Sequence, residues 1–206
     1  AWSNMIVTRT ACPPIYELPY RENFNVWEKG SSSACWTMNS NSTDPYADNK
    51  STYVLDGMYL DASCSTQFLS NEHWQYFVLP KLNARMDTVQ LSLMIHSSVS
   101  AAKGPEVGVM TNPRDTSTFV PICKLNPKYL EWSEVLVRFS KYEGDGQYIA
   151  FRQSGNDACV QIDNIEVTAV GCPSPIDGEL LDATESTMLV KWNMEEPMPS
   201  YDVLYY

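Results

Sequence analysis

The side chains with chemical reach in this chain are six cysteines, two histidines, and a scatter of aromatic and acidic residues. Cys12, Cys35, Cys64, Cys123, Cys159 and Cys172 contain no Cys-x-x-Cys pair, and His73 and His96 do not stand near them at the spacing of a zinc site. Structural zinc and thioredoxin-type exchange are therefore disfavoured. The thiols can be the bridges of an exported protein or buried free thiols, since cysteine is among the most buried residue types. No Gly-x-Ser-x-Gly, His-Glu-x-x-His or phosphate-cradling Gly-rich motif is present. The chemistry left is recognition. Trp27 and Trp132 sit inside strand patterns and are expected in the core, whereas Trp36, Tyr46 and Tyr53 flank a polar stretch and are the better ligand-binding residues. An aromatic face there could stack on the apolar face of a sugar.

The acids need a closer reading. Val160 and Ile162 point one way along a strand, and Ile165, Val167 and Ala169 continue the alternation one residue out of phase. A one-residue slip in a period of two marks a bulge. Asp163 and Asn164 therefore lie where the strand is re-aimed, and the Asp163 carboxylate can leave the plain solvent face. The simplest use for it is to accept from nearby backbone amides, as Asp does at turns.

Around these residues the chain reads as β almost throughout. Val89, Leu91, Leu93 and Ile95 alternate with Gln90, Ser92, Met94 and His96, Val107 and Val109 alternate across Gly108, and Val135, Val137 and Phe139 alternate with Leu136 and Arg138. Tyr148–Arg152 and Val160–Ile162 read as two short strands. Residues 31–51 are rich in Ser, Asn and Asp and read as a long loop. The one helix-like stretch is a short turn at Pro127–Glu131. Parallel α/β architecture is thus disfavoured, and the pattern implies an antiparallel β-sandwich.

The chain has 206 residues and a net charge of −11. So acidic a chain lacks the electrostatic footprint for nucleic acid or an anionic membrane. No apolar run is long enough for a membrane-spanning helix. No signal peptide opens the chain at Ala1, so in an exported protein it has been removed or lies outside this sequence. Ala11-Cys12-Pro13-Pro14 and Gly171-Cys172-Pro173-Ser174-Pro175 repeat one shape. Closely spaced prolines cannot join a central ladder, so both read as junctions that divide the chain into 1–12, 13–171 and 172–206.

The middle piece opens with Pro19-Tyr20-Arg21-Glu22-Asn23-Phe24 and closes with Tyr148-Ile149-Ala150-Phe151-Arg152 and Ile162-Asp163-Asn164-Ile165. It resembles the MAM-like jelly-roll modules known as cleaved adhesin domains, found in gingipain-type surface proteins of Bacteroides relatives. The resemblance implies an all-β antiparallel jelly-roll sandwich whose first and last strands lie side by side. It also implies a structural calcium bridging those strands, with Glu22 and Asp163 as carboxylate ligands and Asp61 as a third. Where the usual closing motif has a second Asp this chain has Asn164, and the Asp- and Gly-rich loop after the first Trp is missing. The ends carry a different resemblance. Thr187–Trp192 followed by Tyr201–Tyr205 is similar to the second and third strands of a fibronectin type III module, and Trp2–Thr10 to the last strand of a preceding one. Together these imply a non-catalytic adhesion or carbohydrate-binding module of a secreted or cell-surface multidomain protein. Its expected partners are a host glycan or extracellular protein and neighbouring domains of its own chain. The alternatives are a structural spacer, or an accessory domain of an extracellular peptidase or glycoside hydrolase.

Overall fold

A computed structural model describes residues 12–27, 35–40, 52–55, 65–100, 103–170, 176–184 and 187–193. The chain divides into two compact units, Ala1–Ala169 and Val170–Tyr206. The described residues of the first unit form an antiparallel β-sandwich, and no α-helix occurs among them. Its strands are β1 (Tyr20–Glu22), β2 (Thr37–Ser40), β3 (Thr52–Leu55), β4 (Ser65–Val78), β5 (Val89–Ser97), β6 (Glu106–Met110), β7 (Val120–Lys124), β8 (Ser133–Arg138) and β9 (Tyr148–Ala169).

The long strands β4 and β9 organise everything else. Their first contact runs from Thr66↔Ile162 to Leu69↔Cys159, and their second from Gln75↔Gln153 to Val78↔Ala150, with register irregularities between. The second stretch belongs to a layer ordered β2-β4-β9-β6-β7. The first belongs to a layer ordered β3-β4-β9-β5-β8. β1 joins β9 beyond the end of β4, with Tyr20 opposite Val167 and Glu22 opposite Ile165. The opening and closing segments therefore run side by side, and Phe24 and Ile162 share one core.

The two readings at Tyr148–Arg152 and Val160–Ile162 are one strand of 22 residues, not two short ones. A strand that serves both layers must continue through the stretch where it changes neighbours. The polar run 31–51 is not wholly loop: Thr37–Ser40 pair with Val78–Gln75. A disulfide joins Cys12 to Cys35, and Trp36 is 5% exposed. These two anchors hold the polar segment to the sandwich. Pro127–Glu131 forms a bridged turn with Leu130 in the left-handed region, and the short 3-10 turns are at Met86–Thr88 and Thr116–Thr118 instead. Cys123 is a free, half-buried thiol.

Between the layers, Val89, Leu91, Leu93 and Ile95 alternate inward as their period of two requires, facing Phe77, Phe151, Val107 and Val109. At one end Phe24, Trp27, Trp36 and Phe77 pack together, with the Trp36 and Phe77 rings stacked 4.4 Å apart. Two left-handed residues shape the margins, Phe24 (φ 56°) and Asn164 (φ 48°). Gln75 is an exception to apolar filling. It is 2% exposed, and neither its Nε2 nor its Oε1 has a hydrogen-bond partner. Such an amide costs roughly 1–3 kcal/mol.

In the second unit, β10 (Ile176–Ala183) and β11 (Met188–Asn193) form an antiparallel hairpin. Its turn is closed by the Thr184 amide donating to the Thr187 carbonyl at 2.7 Å and the Thr187 amide donating to Thr184 Oγ1 at 2.9 Å. Leu180, Leu181, Met188 and Leu189 are all exposed. The strand expected from Met188 to Trp192 is therefore present, whereas Trp2–Thr10 and Tyr201–Tyr205 lie outside the described residues.

Candidate binding site

The β1–β9 junction holds two of the three acids expected to bind metal. Glu22 stands opposite Ile165, two positions along the strand from Asp163. Both Ile162 and Ile165 are core residues, so Asp163 and Asn164 fill an odd gap between them. The register confirms the bulge: Ser92 and Met94, two apart on β5, face Glu166 and Asp163, three apart on β9. Asp163 is fully buried and its Oδ1 accepts from the Asn164 amide at 2.6 Å. Glu22 Oε1 accepts from the Phe24 amide at 2.8 Å. Each carboxylate thus supports a left-handed residue, Asp163 the next one and Glu22 the second one downstream, and one of these turns drives Phe24 into the core. Beside the junction is a groove of about 340 Å3 lined by Arg21, Glu22, Asn23, Asn164, Ile165 and Glu166. Arg21 pairs with Glu166 across it at 2.7 Å. Asp61 lies outside the described residues, and among those described no three acids, histidines or cysteines gather in one place.

The aromatic residues are distributed differently from expectation. Trp36 is no surface platform: it belongs to the core, and its Nε1 donates to the Tyr20 hydroxyl at 3.1 Å. Burial pushes the Tyr20 phenol up to about 12, against the opposing effect of the Trp36 hydrogen bond, so it stays neutral and accepting. Trp27 is in the core as expected. Trp132 is only half-buried and stacks on His96, with ring centres 5.1 Å apart. His96 is buried despite its polar-facing register, with Nδ1 3.1 Å from Gln161 Oε1. Burial lowers its proton affinity below the ordinary imidazole value, with the Gln161 contact opposing. On the outside of the other layer, the Arg152 guanidinium lies 4.5 Å from the Trp74 ring centre and 4.3 Å from that of Phe119, and Arg152 Nε donates to Glu106 at 2.7 Å. Trp74 is therefore covered on one face by its own protein. Tyr46 lies outside the described residues, and so does the side chain of Tyr53 on β3.

A larger opening appears where no motif pointed. Residues 83–87, leading into β5, and 140–147, leading into β9, enclose a cleft of about 800 Å3. Arg85 donates through Nε and Nη2 to the two oxygens of Asp87, which fixes the guanidinium plane. Facing segments carry Tyr142, Glu143, Asp145 and Gln147. The walls are pinned to the sandwich: the Leu82 amide donates to the Gln147 carbonyl at 2.8 Å and the Gln147 amide to the Met110 carbonyl at 3.1 Å. The Gly146 amide donates to the Tyr142 hydroxyl at 3.0 Å. A Cβ at Gly146 would run into Val109 and that same hydroxyl, so the turn needs glycine there. The only signal for this cleft in the sequence is the loop Tyr142-Glu143-Gly144-Asp145-Gly146, whose partner segment is some sixty residues earlier in the chain.

Comparison with solved structures decides the fold family. The K2 cleaved adhesin domain of Lys-gingipain matches with a TM-score of 0.58 at 14% identity, over 73% of this chain and 99% of that one. The K1 domain of the same protein from Porphyromonas gingivalis W83 matches at 0.56 and 15%, over 75% and 100%. This chain has a gingipain-adhesin-like fold. The K3 domain matches at 0.51 and 15%, over 72% and 97%. No family model matches the chain, and no curated protein does. The adhesin-like fold fixes the sandwich and the side-by-side first and last strands; at these identities it transfers no ligand. Among the described residues no helix is long and apolar enough to cross a membrane.

Proposed function

We propose that the adhesin-like domain is a non-catalytic binding module of a secreted or cell-surface multidomain protein, and that it holds a host glycan in the cleft between residues 83–87 and 140–147. The observation that carries this is the cleft itself: about 800 Å3 of space between two pinned segments, lined by planar polar side chains and an oriented Arg85–Asp87 pair. Sugars present hydroxyls that donate and accept at once, and such walls match them. The Cys12–Cys35 bridge supports export, since disulfides persist in oxidising compartments. Fibronectin-like modules on both sides, as the terminal residues suggest, would make the domain one unit of an extended chain. A screen against immobilised glycans tests the reading. Asp145→Ala and Arg85→Ala are expected to abolish the strongest interactions while leaving the melting temperature within about 2 °C, because exposed substitutions cost little. Hits that survive both substitutions would remove the cleft from the proposal, and an array without hits would favour a spacer.

We also propose a structural calcium at the β1–β9 junction, held in part by Glu22 and Asp163, with Asp61 completing the acids. A fully buried carboxylate two register positions from a second one supports it, since calcium is a hard cation that takes oxygen ligands. Calcium takes six to eight oxygens, many from the backbone. An ion bound only by the folded state raises the melting temperature. Adding chelator is therefore expected to lower it by several degrees in the native chain and not in Asp163→Asn. Equal melting with chelator and with saturating calcium would exclude the ion.

A further inference from the structure

We propose that the 83–87/140–147 cleft takes neutral sugar units and turns away acidic ones. This rests on the reading of the domain as a glycan-binding module and adds a rule for which glycans it accepts.

The charges in the cleft are unevenly committed. Arg85 is the one cation among the described lining residues, and it spends two of its donors on Asp87. That pair is neutral as a unit, and its remaining guanidinium N–H groups point in a fixed plane, suited to a hydroxyl oxygen. Glu143 and Asp145 are exposed and make no ion pair among the described residues. The cleft therefore holds two uncompensated negative charges within a chain of net charge −11. A sialic acid carboxylate or a sulfate would enter against both of them and find no free cation among the residues that line the cleft. A neutral ring meets only hydrogen-bonding groups: the carboxylates accept from its hydroxyls, and the amides of Asn83 and Gln147 do either. Building like charge against the wrong ligand is an economical way to discriminate between otherwise similar molecules.

The test uses matched pairs of oligosaccharides, each neutral glycan against the same glycan bearing sialic acid or sulfate, titrated calorimetrically into the full chain. The neutral member is expected to bind roughly tenfold tighter, the scale of two like charges meeting a third across several ångströms of water. The gap should shrink as salt is raised from 0.05 to about 0.5 M, where exposed charges are screened. Glu143→Gln combined with Asp145→Asn removes both charges and keeps one acceptor oxygen at each position, so the gap between the two members should close to within about threefold, whatever the change in the neutral member's own affinity. An acidic glycan bound as tightly as its neutral match, or a gap unchanged in the double variant, overturns the charge rule and leaves the glycan reading standing. A chain that binds neither member, or that prefers a lysine-rich peptide, overturns both.

Discussion

Trp36→Ala is expected to destabilise the first unit by about 4 kcal/mol, the usual cost of removing a buried large aromatic. The indole stacks on Phe77 at 4.4 Å, meets Phe24 and Trp27 edge-on at 5.8 Å, and donates to Tyr20. Its loss leaves a cavity between two layers that cannot close, because Cys35 on one side and β2 on the other hold the segment in place. It also strips the half-buried Tyr20 phenol of its donor. In a domain of this size the melting temperature should fall by roughly 10 °C. Urea unfolding measures it directly. The substitution separates two roles for the residue, because a sugar platform would lose affinity with little change in stability. A Trp36→Ala protein that melts like the parent would show that the aromatic cluster is not the structural centre described above.

The second large effect is expected from the Cys12–Cys35 bridge. The bonded residues are 23 apart, and closing a loop of that length removes unfolded-state entropy equivalent to about 3 kcal/mol. The enclosed loop contains β1, Glu22, Phe24 and Trp27, so it ties the first strand and half of the aromatic cluster to β2. The Cys12→Ala/Cys35→Ala variant should unfold at markedly lower denaturant concentration, and added reductant should shift the parent towards it without moving the variant further. A midpoint that ignores both changes would mean that the bridge closes nothing the core does not already hold. Reductant sensitivity in the variant would point instead to another of the cysteines.

Much of the sandwich could be read along the chain. The inward faces of β5, β6 and β8 follow from strict alternation, and the bulge at Asp163 follows from the single slip between Ile162 and Ile165. β4 was harder. Its Gln75 faces the core, and Tyr76 and Val78 face a second apolar layer with Met110 and Phe119, so neither face of the strand looks polar or apolar throughout. The tryptophans exchanged places for the same reason. Trp36 stands in a polar run but is carried inward by its disulfide neighbour and by pairing with β4, while Trp132 stands in an apolar pattern but precedes an edge strand and lies over His96.

Strand formation and local irregularity depend on residues close together in the chain, and the order of amino acids was enough to read them; the neighbouring first and last strands were implied only by the resemblance to cleaved adhesin domains. Burial, pairing of cysteines and the shape of a cleft depend on which distant segments meet. Residues 83–87 and 140–147 carry no shared pattern, and they meet because the start of β5 lies beside the end of β8, where Gln90 pairs with Arg138. Backbone hydrogen bonds between segments far apart in the chain, Leu82 to Gln147 and Gln147 to Met110, hold one wall of that space.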